Sequence, residues 1–351
     1  MTLDDAMGLI QPVNGDSAAN AQRRLDRLTK PLGSLGRLEE LAVHYARITG
    51  DVKPNVPRGV VFTFAADHGV AMEGVSAYPS EVTPQMVLNF LRGGAGVNVL
   101  ARHTGVEVRV VDIGVAYDFG VVPGLIQKKI MRGTNNLLRE AAMTRAQATE
   151  ALQVGIDLAT EAAQEGVGLI GTGEMGIGNT TAAAALMHVL TGVPVEQCVG
   201  AGTGLLPEGI AHKAEVIRRA VALHGPLHDP AEVLATYGGF EIATMVGAML
   251  EAAAQRRILL IDGFIVSSAL LVAARMAPAI LDYCVFAHCS DESGHGRMLQ
   301  ALGVKPVLSL GLRLGEGTGA ALVLPLVQSA VAFLNEMATF SSAQVSEKSS
   351  A

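Results

Sequence analysis

The 351-residue sequence contains no tryptophan, and phenylalanine and tyrosine together make up only 4% of it. Its three cysteines, Cys198, Cys284 and Cys289, form no C-x-x-C pair. So little cysteine excludes a disulfide framework and is typical of a reduced protein of the cytoplasm. The N-terminal MTLDD also lacks the basic stretch of a secretory signal peptide. We therefore expect a cytoplasmic location.

Basic side chains are in the minority, with 26 Lys and Arg against 33 Asp and Glu, for a formal net charge of −7. A negative protein is a poor general binder of polyanions, because the phosphate backbone attracts positive charge. We expect no nucleic-acid partner, although a local phosphate pocket remains compatible with this charge.

Two long stretches, residues 175–195 and 317–335, contain no Lys, Arg, Asp or Glu. By length each could span a bilayer. Both carry polar residues and proline, however, and neither has a basic flank that would set its orientation. We interpret both as buried helices and predict no membrane span, with a membrane-embedded protein as the alternative.

Half of the residues are hydrophobic and 40 are glycine, which favours helices packed on a sheet with glycine turns between them. Short apolar runs alternate with stretches of helical period. This alternation predicts an α/β fold with a mainly parallel, six-stranded, Rossmann-like sheet flanked by helices. The predicted strands are residues 59–66, 106–112, 166–171, 257–262, 282–288 and 306–310. The main predicted helices are residues 81–102, 145–165, 180–190, 207–224, 240–255 and 291–302.

The two ends of the chain differ from this alternating middle. Residues 17–50 predict two helices, and residues 318–339 predict one long apolar helix. We assign residues 1–55 and the C-terminal helix 318–340 to a small helical subdomain, and residues 56–317 to a large α/β catalytic domain. The Ser-rich residues 341–351 are predicted to be a disordered tail.

The most informative segment is GVGLIGTGEMGIGNTTAAAAL, residues 166–186, which predicts a strand, a glycine loop and a helix. Its glycines fit the dinucleotide spacing and, with Asn179 in the lysine position, the P-loop spacing. Such glycines let backbone N–H groups and a helix N-terminus approach an anion. Without the lysine, a monophosphate fits best. A glycine turn without a ligand and a nicotinamide-dependent dehydrogenase remain alternatives.

Two further glycine loops add ionisable side chains. GAGTG, residues 200–204, precedes Lys213, which is either a cation for the phosphate or a solvated helix lysine. GLRLGEGTG, residues 311–319, holds Glu316 between two glycines. This carboxylate is either a helix cap or a general base whose pKa is set by burial and the helix dipole.

The segment HCSDESGH, residues 288–295, has a superficial likeness to a metal site. His288 and His295, however, lie seven residues apart without a metal-binding spacing around them. A helix cap explains Ser290 and Asp291 equally well. We expect no metal ion here.

Asp112 and Asp262 each end a predicted strand, at the edge where parallel sheets bind ligands. Either is a turn residue or a ribose contact. Enzymes that use phosphoribosyl pyrophosphate often carry paired acids after a strand, whereas only one acid stands at Asp262.

Six segments together carry a family signature: KPLGSLGRL at residues 30–38, AADHGV at 65–70, YPSEVT at 78–83, GEMGIGNTT at 173–181, DGF at 262–264 and GEGTG at 315–319. With these segments the sequence resembles the nicotinate-nucleotide:dimethylbenzimidazole phosphoribosyltransferase family, of the lower-ligand branch of cobalamin synthesis. The resemblance covers residues 15–340.

The resemblance implies a pentosyltransferase that moves the 5-phosphoribosyl group from nicotinate mononucleotide to 5,6-dimethylbenzimidazole. The products would be α-ribazole 5′-phosphate and nicotinate, with inversion at the anomeric carbon. It also implies a homodimer that needs no cofactor and no metal ion. A related binding protein that has lost catalysis is the non-enzymatic alternative.

The resemblance also implies roles for individual residues. The general base would be Glu316, with Glu174 as a second acidic group. The phosphate and ribose would be bound by Gly176, Gly178, Asn179, Gly202, Thr203, Lys213, Ser290 and Asp291. The aromatic bases would be bound by Ser80, Gln85, Arg313 and Leu314.

Overall fold

A computed structural model describes residues 1–346, in which six parallel strands form one sheet flanked by helices. The order of the strands across the sheet is β3-β2-β1-β4-β5-β6. This architecture confirms the predicted α/β fold. The strands are β1 Arg58–Ala66, β2 Glu107–Gly114, β3 Leu125–Gln127, β4 Val167–Met175, β5 Ile258–Ile261 and β6 Cys284–Phe286.

The helices of the described residues lie mostly between the strands. They are α1 Leu3–Leu9, α2 Asp16–Leu25, α3 Arg37–Thr49, α4 Val82–Leu91, α5 Gly96–Thr104, α6 Arg145–Gln164, α7 Asn179–Thr191, α8 Val195–Cys198, α9 Pro207–His224, α10 Pro230–Tyr237, α11 Phe240–Ala254, α12 Phe264–Met276, α13 His295–Leu302, α14 Thr318–Glu336 and α15 Phe340–Ala343.

The core lies between the central strands and the apolar helices. Strands β1 and β4 are buried along most of their length, as expected for parallel strands covered on both faces. Helix α11 is buried almost throughout and packs closely on α6. Gly155 and Gly247 lie at this contact, where a Cβ would meet the backbone of the other helix. The lack of side chains there allows the two helices to approach.

The prediction of a strand at residues 306–310 is wrong. The backbone there forms only an isolated bridge between His288 and Leu308, and Pro306 cannot donate to a ladder. The remaining strand is instead β3, which pairs with Val110–Asp112 of β2 at the edge of the sheet.

The predicted helix at residues 81–102 is broken into α4 and α5. Gly93 has a φ of +76°, and Ala95 is extended just before α5 begins. The predicted helix 291–302 starts later, at His295, because the residues before it form turns. The two helices predicted within residues 17–50 correspond to α2 and α3.

Helix α14 is the helix of residues 1–346 that is long and apolar enough to cross a membrane by length and composition. It packs against α3, α5 and the central strands, and about half of its residues are buried there. The stretch 175–195 forms the end of β4, a loop and the buried helix α7. Both stretches therefore belong to the packed interior.

The two ends of the chain meet at the C-terminus of α14. Arg24 donates from Nε to Leu334 O at 2.6 Å and from Nη2 to Asn335 O at 2.9 Å. The division into residues 1–55 with 318–340 and residues 56–317 stays a prediction. Residues 341–343 of the predicted disordered tail are helical in α15, because Thr339 caps that helix. Residues 347–351 lie outside the described residues.

Candidate active site

A cavity of about 500 Å³ opens beyond the carboxyl ends of β4, β5 and β6. Its floor carries Glu174, Asp262 and Glu316, and its walls are largely apolar. The apolar side chains of the wall include Tyr78, Val82, Met86, Ile177, Phe264 and Leu314. The arrangement suits a flat, uncharged ring held next to a polar group.

The first glycine loop joins β4 to α7. Gly178 has a φ of +98° and precedes the first turn of α7, where Asn179 donates from its side chain to Glu174 Oε2. The loop rests on α4 through Thr83, whose Oγ1 accepts from Ile177 N at 3.2 Å. The dinucleotide interpretation is wrong, because Gly171 and Gly173 lie inside the buried strand β4 and not in the loop.

The second glycine loop, residues 200–204, is tied to the first by a buried lysine. Lys213 Nζ donates to Thr180 Oγ1 at 3.0 Å and to Gly200 O at 3.4 Å. Burial lowers the pKa of Lys213 to about 8, and the neighbouring carboxylate of Glu292 opposes this shift. Lys213 is almost fully buried and does not line the cavity, whereas Gly202 and Thr203 of the second loop do.

The third glycine loop holds Glu316 in an uncommon backbone conformation. Gly315, Glu316 and Gly317 have φ values of +78°, +65° and +90°. A non-glycine residue in this region is strained by about 1–2 kcal/mol. Thr63 Oγ1 donates to the Glu316 carbonyl at 3.1 Å, and Val97 N donates to Glu316 Oε2 at 3.2 Å. Residues held in such conformations by their surroundings cluster at functional sites.

Asp262, just after β5, holds the same loop from the other side. Its Oδ2 accepts from Gly317 N at 3.2 Å, and its Oδ1 accepts from Ala320 N at 3.0 Å. The side chain therefore caps the N-terminal end of α14 and orders the residue that follows Glu316. His288 Nε2 lies 3.7 Å from Asp262 Oδ1.

The acids of the floor resist ionisation. Burial raises the pKa of Glu174 to about 8, and the nearby acids Glu241 and Asp262 raise it further, whereas the hydrogen bond from Asn179 lowers it. Burial likewise raises the pKa of Asp262 to about 7. Burial also raises the pKa of Glu316, which the hydrogen bond from Val97 N opposes. Glu174 and Asp262 can therefore exchange a proton near neutral pH, and burial makes the Glu316 carboxylate more basic than an exposed one.

The structure brings most of the residues selected from the sequence to this cavity. Its wall includes Glu174, Gly176, Asn179, Gly202, Thr203, Ser290, Arg313, Leu314 and Glu316. Gly178 and the buried Lys213 lie behind the wall. Three others, Ser80, Gln85 and Asp291, are exposed and do not line the cavity. The roles of all these residues stay predictions.

Several cavity residues were not selected from the sequence. Val82 and Met86 lie four apart on α4, a helical spacing that the sequence displays. Glu292 lines the wall beside Ser290, and nothing in the sequence distinguishes it from the adjacent Asp291. Which acid turns inward depends on loop contacts that the sequence does not reveal.

Two buried histidines near the cavity already have partners. His295 Nδ1 accepts from Ser290 N at 2.8 Å, and its Nε2 lies 2.9 Å from Ser267 Oγ. His68 Nε2 lies 2.6 Å from Glu241 Oε1, beneath the first glycine loop. Within residues 1–346, no group of three or more His, Cys, Asp or Glu side chains is arranged to hold a metal ion.

The chain is similar to known proteins over nearly its whole length. A family model described as phosphoribosyltransferase matches residues 10–345. The nicotinate-nucleotide–dimethylbenzimidazole phosphoribosyltransferase of Geobacter sulfurreducens is 55% identical over 98% of this chain and 98% of its own. That of Cupriavidus necator is 54% identical over 97% of this chain and 98% of its own. The crystal structure of CobT from Thermus thermophilus superimposes with a TM-score of 0.91 at 47% identity, over 95% of this chain and 100% of that one.

Proposed function

The chain belongs to the phosphoribosyltransferase family and is a pentosyltransferase, and from this premise we propose that it acts in the lower-ligand branch of cobalamin synthesis. The donor is nicotinate mononucleotide and the acceptor is 5,6-dimethylbenzimidazole. The names of the full-length relatives support these substrates. The observation that carries the proposal is the buried, strained Glu316 at the floor of a cavity with apolar walls.

The transfer of the phosphoribosyl group requires one general base. The bond between C1′ of the ribose and the pyridinium nitrogen breaks, and its electron pair neutralises that nitrogen as nicotinate leaves. The imine nitrogen of the benzimidazole forms the new bond from the opposite face, which inverts the anomeric carbon. The proton of the other ring nitrogen passes to the carboxylate of Glu316.

The surroundings of Glu316 suit this role. Because burial raises its pKa, the carboxylate is a stronger base than an exposed one. The N–H of Val97 fixes Oε2, so the carboxylate is oriented before the acceptor binds. The apolar wall excludes water, which would otherwise compete for the sugar cation.

We assign the 5′-phosphate to the first two glycine loops. Gly176, Asn179, Gly202 and Thr203 line the cavity there, and the N-terminus of α7 favours an anion. The buried ammonium of Lys213 adds positive charge behind these loops.

The remaining assignments concern the ribose and the rings. We assign Glu174 to the sugar side of the cavity, as the second acidic group beside Glu316. Arg313 and Leu314 flank the aromatic rings at the cavity wall. Ser80, just before α4, and Gln85, within α4, lie outside that wall.

A product assay tests the proposal directly. The protein is incubated with nicotinate mononucleotide and 5,6-dimethylbenzimidazole, with and without a chelator, and the products are resolved by chromatography and mass. We expect nicotinate and α-ribazole 5′-phosphate in equal amounts, unaffected by the chelator. The anomeric configuration of the product, read by NMR, tests inversion. Failure to release nicotinate, or a product of retained configuration, would contradict the proposal.

We also propose that the enzyme is a cytoplasmic homodimer. The three cysteines are free thiols, which suits a reducing compartment. Large apolar side chains such as Leu32 and Leu206 are exposed, and a second copy would cover such surface. Light scattering should give twice the 36.4 kDa of the chain. The mass of a monomer at micromolar concentration would reject the dimer.

A further inference from the structure

The segment after β6 presents one carboxylate to the cavity. Asp291 is exposed, and its backbone N–H donates to Leu312 O at 2.9 Å. The next residue, Glu292, is only 8% exposed and lines the cavity. The acid that faces the binding site here is therefore Glu292, not Asp291.

The Glu292 carboxylate is fixed against the second glycine loop. Gly202 N lies 3.1 Å from each of its two oxygens and donates to them. Ser290 Oγ accepts from Glu292 N at 3.3 Å. Gly200 packs against the carboxylate, so that a Cβ on Gly200 would collide with it. The side chain is thus oriented without any ligand.

The fixed carboxylate has acceptor capacity to spare. An ionised carboxylate offers about four lone-pair positions, and the single N–H of Gly202 uses only part of them. The remaining positions can accept two hydroxyl protons at once. Neighbouring hydroxyls that each donate one proton are the feature that distinguishes a ribose from a deoxyribose.

The position of Glu292 matches the sugar of a nucleotide whose phosphate lies at the glycine loops. Gly202 and Ser290 are hydrogen-bonded to Glu292, and Thr180 and Thr203 line the same cavity. The negative charge of Glu292 also raises the pKa of Lys213 and so favours the charged ammonium. Because Gly202 N–H already donates to Glu292, Gly202 contributes its place in the cavity wall, and not its N–H, to the proposed phosphate site.

We propose that Glu292 binds the 2′- and 3′-hydroxyls of the donor ribose and makes the enzyme selective for ribonucleotide donors. This inference rests on the proposed function, since it takes the donor to be nicotinate mononucleotide. Glu292 acts by recognition and takes no part in the transfer of protons.

The test compares donors that differ by one hydroxyl. Values of kcat/KM are measured for nicotinate mononucleotide and for its 2′-deoxy and 3′-deoxy analogues, with wild type and Glu292→Gln. The ratio of kcat/KM for the ribonucleotide to kcat/KM for a deoxy analogue should be about 10-fold higher in wild type than in Glu292→Gln. The variant loses the hydrogen bond between a sugar hydroxyl and a charged group. A loop that was merely loosened would slow all donors alike and leave their ratio unchanged. Glu208→Gln, the same change at an exposed position of α9, is the control and should keep the wild-type ratio.

Several outcomes would overturn the inference. An unchanged donor ratio in Glu292→Gln rejects it, as does a ratio that collapses in Asp291→Asn instead. If Glu292→Gln binds inorganic phosphate more tightly than wild type and its donor ratio is unchanged, Glu292 opposes phosphate binding and does not select the sugar. If Glu292→Gln does not fold, Glu292→Asp withdraws the carboxylate by one methylene, and the same reduction in preference is expected. Absence of turnover of nicotinate mononucleotide by the wild type would instead reject the proposed function and the inference with it.

Discussion

At the scale of single residues, Glu316 combines a left-handed backbone, a buried carboxylate and a hydrogen bond from Val97 N–H. The backbone strain has to be offset by the contacts of the loop, including those from Thr63 and Asp262. A helix-capping role alone would not explain this strain, because a capping residue normally has an extended backbone with a negative φ. The cap of α14 is in fact supplied by Asp262.

Glu316→Gln should lower kcat by about 100-fold, because the amide of Gln cannot take up the proton from the benzimidazole nitrogen. The KM for nicotinate mononucleotide should change little. In the wild type, activity should rise with pH as the carboxylate ionises, with a midpoint above the ordinary range for Glu because burial raises this pKa. Steady-state kinetics across pH measures both. Glu336→Gln, at the exposed C-terminal end of α14, is the matched control, and near-normal turnover in Glu316→Gln would reject the base.

Glu174 should make the fold less stable as pH rises. Its pKa is about 8 in the folded protein and about 4.5 as the ordinary value. The folded state therefore binds the extra proton between these values, so the contribution to stability is complete below pH 4.5 and is lost as pH rises towards 8. The Tm of Glu174→Gln relative to wild type should thus increase from pH 5 to pH 8. A difference in Tm that is constant with pH would contradict the buried, protonated Glu174.

Residues at or just after the carboxyl end of a strand were predictable as site residues, because parallel strands bring these ends to one edge. Glu174 and Asp262 reach the cavity by this rule. The choice between Asp291 and Glu292 was not predictable, since it depends on the distant acceptor Leu312 O and on Gly202 N–H. Such contacts are made only after the loops have met.

At the scale of elements, long apolar runs predicted β1, β2 and β4 within a few residues. The three-residue strand β3 escaped prediction because so short a run carries no pattern. The apolar run 306–310 is not a strand because it meets the residues after β6 through only a few hydrogen bonds, which amount to a bridge. Gly93 and Gly94 were the sequence signal for the break between α4 and α5.

Gly317→Ala should destabilise the loop before α14 by more than about 1 kcal/mol. Its φ is +90°, and a Cβ would also press on Val61 and Gly173. Activity should fall with stability, since the same shift moves Glu316. Gly311→Ala is the matched control, because its φ is +66° and its Cβ would meet open space. Urea unfolding and turnover of both variants check this, and equal losses of activity would show that the close contact is unimportant.

At the scale of the whole molecule, the two ends of the chain are joined through Arg24 and the C-terminal end of α14. A cation at this end of a helix also complements its dipole. Since α14 packs on the central strands as well, the terminal helices and the sheet should unfold together.

Arg24→Gln should lower the free energy of unfolding by about 1–2 kcal/mol, because two carbonyl contacts to α14 are lost. Arg23→Gln is the control, since Arg23 is exposed and its hydrogen bond goes to Asn20 of the same helix. Turnover at low temperature should be near normal in both variants. Two separate unfolding transitions in wild type would contradict a single cooperative unit.

The loop around Glu316 also has a consequence for how the protein is made. Its partners Thr63, Val97 and Asp262 all precede it in the chain, so they leave the ribosome first. Because α14 packs on the central strands, a nascent chain that has not reached residue 318 lacks part of the core, and one that has not reached residue 316 lacks the proposed base. On the proposed function, such an incomplete product of the ribosome would be inert.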